Sequence, residues 1–201
     1  MDDKERQVLV FRKMVRFGAF VSFPAMLGLA FVAKEFIWIL LGEKWLDSVP
    51  FLQLFCIWGA MGYLSQLYVN LLMAHSRSEV YLLGMILIGL LQILVVWILY
   101  PFGVFNMVIG YICVYFVSII FWHYSVKEEL PIKLISICKD IVPYLVISIF
   151  VFFVVDCVLR NISDVYMLLI LKILFSSALY ILILLLLKST ILKEAISYLK
   201  R

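Results

Sequence analysis

From Val80 to Tyr100 the chain reads VYLLGMILIGLLQILVVWILY, without a single charged residue. A helix of about 20 apolar residues crosses the hydrocarbon core of a bilayer, and inside lipid every backbone N–H and C=O must find its partner within the protein. Only helices and closed β-barrels meet that demand, and a barrel strand alternates apolar and polar residues over about ten positions. This run does not alternate. It is a membrane helix, and the rest of the chain repeats the pattern: 66% of the residues are hydrophobic and 15% charged, where about 45–50% and 25% are usual. That balance removes the basis for a disordered chain, a coiled coil or a nucleic-acid-binding domain. The expected fold is all-α, a polytopic helical membrane bundle.

Six spans are expected, at 17–32, 51–73, 80–100, 104–122, 141–158 and 165–187. Residues 1–16 form a basic cytosolic segment ahead of them, and 188–201 an amphipathic basic tail ending TILKEAISYLKR. The first span is short, and the AKEFIWILLGEKW that follows is apolar with charges at both ends. It either extends the span or, as the terminal charges favour, lies flat as an interfacial helix over 34–45. Gly42 suits the left-handed backbone of a helix end, Pro50 opens the second span where its missing N–H does no harm, and Pro24 inside the first predicts a kink. The short YPFGVF link makes spans three and four an antiparallel hairpin. Residues 123–140 read as a charged connection with an interfacial helical stretch.

Orientation follows from the basic residues. With the N-terminus in the cytosol, Lys4, Arg6, Arg12, Lys13, Arg16, Arg77, Lys127, Lys133, Lys139, Lys188, Lys193, Lys200 and Arg201 fall inside, against Lys34, Lys44 and Arg160 outside. Positive residues mark the cytosolic side, so both termini are expected there. Met1 is followed by Asp2, Asp3, Lys4 and Glu5 rather than by a basic and then apolar stretch, so no cleavable signal is expected.

Polar residues inside the spans are the candidates for function. Gly59, Gly62, Gln66 and Asn70 recur at helical spacing in the second span and, with Tyr63, form one stripe. Such a stripe serves as helix–helix glue, small residues allowing close approach and amides bonding across it, or as a face turned to a hydrated cavity. In the last span Lys172, Ser176 and Tyr180 stand four apart and share a face. A lysine deep in a bilayer costs about 2.5–3.5 kcal/mol on insertion scales and needs a partner or water. Lys172 therefore either snorkels to the outer headgroups or faces a cavity. Asp156 and Arg160 are spaced to pair at the surface, and His75 and His123 fall at the inner interface, where solvated imidazoles are expected.

No span carries two carboxylates on one face, so a proton or cation relay has no support. There is no Ser/His/Asp or Cys/His set, no phosphate-cradling glycine loop and no HExxH, which argues against an enzyme. Cys56, Cys113, Cys138 and Cys157 are scattered and match no metal-ligand spacing. No metal, cofactor or nucleic-acid partner is expected.

The stretch FPAMLGLAFVAKEFIWILLGEKWLDSVPFLQLFCIWGAMGYLSQLYVNLLMAHSRSEVYL resembles the polysaccharide flippases of the Wzx type, within the multidrug/oligosaccharidyl-lipid/polysaccharide exporter superfamily. The features that carry the resemblance are Phe23, Pro24 and Gly28, then Gly42, Trp45 and Pro50, then the NLLMAHSRSE end of the second span. FGVFNMVIGY, with Gly103 and Gly110, is similar to the family's next hairpin, and the tail to its usual end. Members have two bundles totalling about 12–14 spans facing each other across a cavity, and this chain matches the C-terminal part. The resemblance implies movement of a polyprenyl-diphosphate-linked oligosaccharide to the outer leaflet of a bacterial inner membrane by alternating access, in O-antigen, capsule or exopolysaccharide synthesis. It also implies an N-terminal bundle, or a second copy, as partner, besides membrane lipids. Lys172, Gln66, Asn70, Ser176 and Tyr180 are the candidates to line the substrate cavity; Pro24, Gly28, Gly42, Pro50, Gly59 and Gly62 are structural candidates. The alternative is a non-transporting accessory or scaffold protein of a polysaccharide assembly complex.

Overall fold

The structure, a computed structural model, describes residues 3–187; the tail expected over 188–201 lies outside them. Its described residues are helical, without strands: α1 (Asp3–Phe31), α2 (Ala33–Leu41), α3 (Val49–Ala60), α4 (Gly62–Ala74), α5 (Ser78–Leu99), α6 (Val104–Ser125), α7 (Leu134–Leu159) and α8 (Val165–Leu186), with short 3-10 turns at Glu43–Ser48 and Tyr100–Phe102. Among the described residues six segments are long and apolar enough to cross a membrane. The protein is an all-α, multi-pass membrane protein.

Two helices begin earlier than hydropathy suggests. α1 is already helical at Asp3, and α7 starts at Leu134. Charged residues at a span's end do not interrupt a helix, because the backbone bonds to itself whether the side chains meet lipid or water. The second span is not one helix. It breaks at Met61 into α3 and α4, so Gly59 is separated from the helix carrying Gly62, Gln66 and Asn70.

The chain divides into two compact units, one from the described part of 1–15 with Met61–Asp140, the other from Arg16–Ala60 with the described part of 141–201. In the first, α5 and α6 form the expected hairpin. Gly103, at φ +91°, turns the chain, and its N–H donates to the Tyr100 carbonyl at 3.2 Å. The helices approach closely at two glycines: a Cβ on Gly84 would lie 2.5 Å from the Trp122 ring, and one on Gly110 would meet Leu99 and Val95. Arg12 grips buried Asp140 through Nε and Nη2 at 2.7 and 3.0 Å, and Arg77 reaches Glu128 and Glu129 at 3.1 and 3.4 Å. His123 departs from expectation. It is 4% exposed, with Nδ1 2.9 Å from the Tyr68 hydroxyl, because a buried phenol supplies the partner that water was expected to provide.

In the second unit α7 buries Tyr144, Ser148, Val151, Val155 and Leu159, a largely apolar stripe at helical spacing. Side chains meet the carbonyls that helix ends and breaks leave open. Gln53 donates to the Ala30 carbonyl at 3.3 Å near the end of α1, and Ser22 to that of Ala60, the last residue of α3, at 3.1 Å. Asp164 caps α8, its Oδ1 accepting from the Met167 N–H at 2.7 Å.

Candidate functional site

The buried face of α8 carries Lys172, Ser176, Tyr180 and Leu184, one per turn. The four-residue spacing that placed three of them together in the sequence holds, and each of the three polar groups meets a partner. The Ser176 hydroxyl donates to the Lys172 carbonyl one turn back. The Tyr180 hydroxyl donates to the Phe20 carbonyl of α1 at 3.0 Å. That oxygen is available because the residue four positions on is Pro24, which has no N–H to offer it. α1 stays helical through Pro24, and Tyr180 supplies the missing donor.

Lys172 does not snorkel. Its side chain is 9% exposed, and Nζ donates to Glu35 Oε1 of α2 at 2.8 Å, from a carboxylate side chain equally buried. The ammonium lies 4.4 Å from the centre of the Phe31 ring, where the electron-rich face attracts it. Asp156, expected to pair with Arg160, instead has Oδ1 3.9 Å from Lys172 Nζ, on a side chain 64% exposed. Burying an ammonium costs several kcal/mol unless it is paired and hydrogen-bonded, and the pairing comes from α2. Glu35 itself is incompletely met: its Oε2 is buried and has no hydrogen-bond partner.

Lys172 and Tyr180 also line a cavity of about 580 Å³ between α1, α2, α7 and α8, whose walls are otherwise largely apolar, with Val21, Ala25, Gly28, Phe152, Ile173 and Ile181 among them. Gly28 contributes room: a Cβ there would touch the Phe152 ring at 3.4 Å. Pro24 lies in the same wall. The cavity thus offers one neutralised cation, hydroxyls already engaged and a long apolar surface. Among the described residues no group of three His, Cys, Asp or Glu could hold a metal.

The other candidates are placed differently. Gln66 and Asn70 are exposed on α4 in the first unit, and the Gln66 amide donates to Asn70 Oδ1 at 3.0 Å. Asn70 lines a separate groove of about 450 Å³ with Arg6, Gln7 and Phe11. A Cβ added to Gly62 would meet nothing within 4 Å, whereas Gly59 packs on Met26, whose sulfur would lie 3.2 Å from such a carbon. The stripe expected through Gly59, Gly62, Gln66 and Asn70 is thus broken at Met61. Gly42, at φ +90°, ends α2 as expected, its N–H donating to the Ile37 and Trp38 carbonyls, and Pro50 is the second residue of α3. Sequence reasoning missed Glu35. Its only signal was a lone carboxylate inside AKEFIWILL, and its partner lies 137 positions away.

Residues 1–50 match the family described as polysaccharide biosynthesis protein. The chain is 46% identical over 78 residues to an uncharacterized membrane protein in the cps region of Klebsiella pneumoniae, a match covering 39% of this chain and 16% of that protein. It is 35% identical over 79 residues to the lipopolysaccharide biosynthesis protein WzxC of Escherichia coli (strain K12), covering 39% of this chain and 16% of the relative. It is also 38% identical over 69 residues to the teichuronic acid biosynthesis protein TuaB of Bacillus subtilis (strain 168), covering 34% and 14%. Over these stretches the chain is similar to proteins named for polysaccharide biosynthesis. Each matched stretch spans about a sixth or less of the relative's length. No solved structure matches the chain. The resemblance read from the sequence is thus supported by independent matches to proteins named for polysaccharide biosynthesis.

Proposed function

We propose that this chain is part of a flippase that carries polyprenyl-diphosphate-linked oligosaccharide units across a bacterial inner membrane, for O-antigen, capsule or exopolysaccharide assembly. The observation that carries the reading is a cavity walled by apolar side chains with one buried lysine on its wall, in a membrane protein related to polysaccharide biosynthesis proteins. Flipping requires that a diphosphate and sugar hydroxyls be sheltered from lipid, not that a bond be made or broken. A lysine on an apolar wall is suited to hold an anionic headgroup while the wall accommodates its chain. Lys172 is the residue assigned to the headgroup, with Ser176 and Tyr180 on the same face of α8. The chain acts with a further bundle or a second copy, both of its termini in the cytosol.

Deletion of the gene in its own host tests this. Loss of surface polysaccharide, with accumulation of lipid-linked repeat units in the membrane fraction, is expected. Restoration by the wild-type gene, and failure of restoration by a Lys172→Gln gene expressed at equal level, assigns the role to the cavity. Unchanged surface polysaccharide and no accumulated intermediate would refute the reading, while altered partner recovery without altered export would favour an accessory protein.

A further inference from the structure

The one cation that Lys172 presents to the cavity is already taken. Its partner, Glu35, binds through Oε1 alone of its two oxygens, Oε2 being buried without a donor. A carboxylate withdrawn from water on those terms is held less firmly than one whose two oxygens are both met. The helix that carries it is short and jointed at both ends. α2 has nine residues, separated from α1 by a turn at Val32 and followed by Gly42 at φ +90°. Lys34, Glu43 and Lys44, at the two ends of α2, are exposed.

We propose that Glu35 is a resident stand-in anion: the phosphate group of an amphiphilic ligand entering the cavity displaces it from Lys172, and α2 is thereby released from α8. The exchange balances electrostatically. Lys172 trades one anion for another, and Glu35, freed with α2, regains the hydration that its unpaired oxygen lacks. Val21, Ala25, Ile173 and Ile181 on the cavity wall bury the ligand's hydrocarbon chain. Asp156, largely exposed at 3.9 Å, stays in place and is screened by solvent. The identity of the ligand as a lipid-linked phosphate rests on the proposed function; the displacement itself does not.

The Trp38 and Tyr166 rings, one on α2 and one on α8, lie 6.1 Å apart, so a Trp38→Cys/Tyr166→Cys pair bridged by a flexible bismaleimide reports whether α2 is docked. The pair is placed in the full chain with Cys56, Cys113, Cys138 and Cys157 changed to Ala, and treated with the bismaleimide in maltoside micelles. Dodecyl phosphate is expected to lower the cross-link yield by about tenfold, and to leave it unchanged once Lys172→Gln is added. Inorganic phosphate at the same concentration is expected to have no effect; if it lowers the yield equally, the phosphate group suffices without a chain and the displacement still stands. A yield that neither phosphate changes, in protein that remains monodisperse and helical, overturns the proposal, as does a dodecyl phosphate effect that survives Lys172→Gln. In the chain with its native Trp38 and Tyr166, Glu35→Gln is expected to bind dodecyl phosphate about tenfold more tightly by calorimetry, and equal or weaker binding overturns it too. Lost polysaccharide export in Lys172→Gln cells with an unresponsive cross-link rejects the displacement and keeps the flippase reading; a responsive cross-link in a host whose export does not need the gene does the reverse.

Discussion

Pro24 and Tyr180 form a single hydrogen-bonding unit, and its strength can be measured. Proline cannot donate to the carbonyl four residues earlier, here that of Phe20, and the Tyr180 hydroxyl takes that place at 3.0 Å. Tyr180→Phe removes only the hydroxyl and leaves the ring, which packs 6.2 Å from that of Phe20. A stranded buried acceptor costs about 1–3 kcal/mol, and interhelical hydrogen bonds in membrane bundles average about 0.6 with a maximum near 1.7 kcal/mol. The expected loss is therefore about 1 kcal/mol. Pro24→Ala restores the N–H, which bonds the Phe20 carbonyl within α1, so in that background Tyr180→Phe should cost less than about 0.5 kcal/mol. The assay is a double-mutant cycle read by circular dichroism during SDS titration in mixed micelles. Equal costs of Tyr180→Phe in the two backgrounds would show that the hydroxyl does not substitute for the missing helical donor.

Breaking the buried ion pair from one side, by Glu35→Gln or Lys172→Met, should destabilise the protein by about 3 kcal/mol, and the double variant by less than the sum, because each single change leaves an uncompensated buried charge; additive losses in the same titration would count against a coupled pair. Gly84→Ala and Gly110→Ala should each cost about 1–3 kcal/mol by forcing α5 and α6 apart, while Gly89→Ala, with nothing within 4 Å of the added carbon, should be neutral or stabilising; three equal responses would refute the close approach. Asp140→Ala should cost about 2 kcal/mol by removing the two-pronged hydrogen bond to Arg12, and a loss below about 0.5 kcal/mol would show the pair to be no stronger than an exposed one.

Much of the architecture was legible in the order of residues. Long charge-free runs force helices because lipid offers no partner to the backbone, so six spans and the hairpin around Gly103 follow from hydropathy and turn chemistry alone. The four-residue spacing of Lys172, Ser176 and Tyr180 likewise puts them on one face of any helix. The α4 candidates were less legible. A single 3.6-residue period drawn through Gly59, Gly62, Gln66 and Asn70 assumes an unbroken helix, whereas the helix is interrupted at Met61, between two glycines that each weaken it.

What only the tertiary structure decided is how each polar group is met. Whether Lys172 reaches for the headgroups or turns inward depends on a carboxylate 137 positions away, and no local pattern encodes that distance. His123 is buried rather than solvated because Tyr68, from another helix, offers its hydroxyl, and the open carbonyl that Pro24 creates in α1 is answered from α8. The sequence determined which segments lie in the membrane, since transfer from water to lipid is a sum over neighbouring residues. The fold determined which charges and hydroxyls find each other there, since in a medium that solvates neither, the partner is whatever packing brings within about 3 Å.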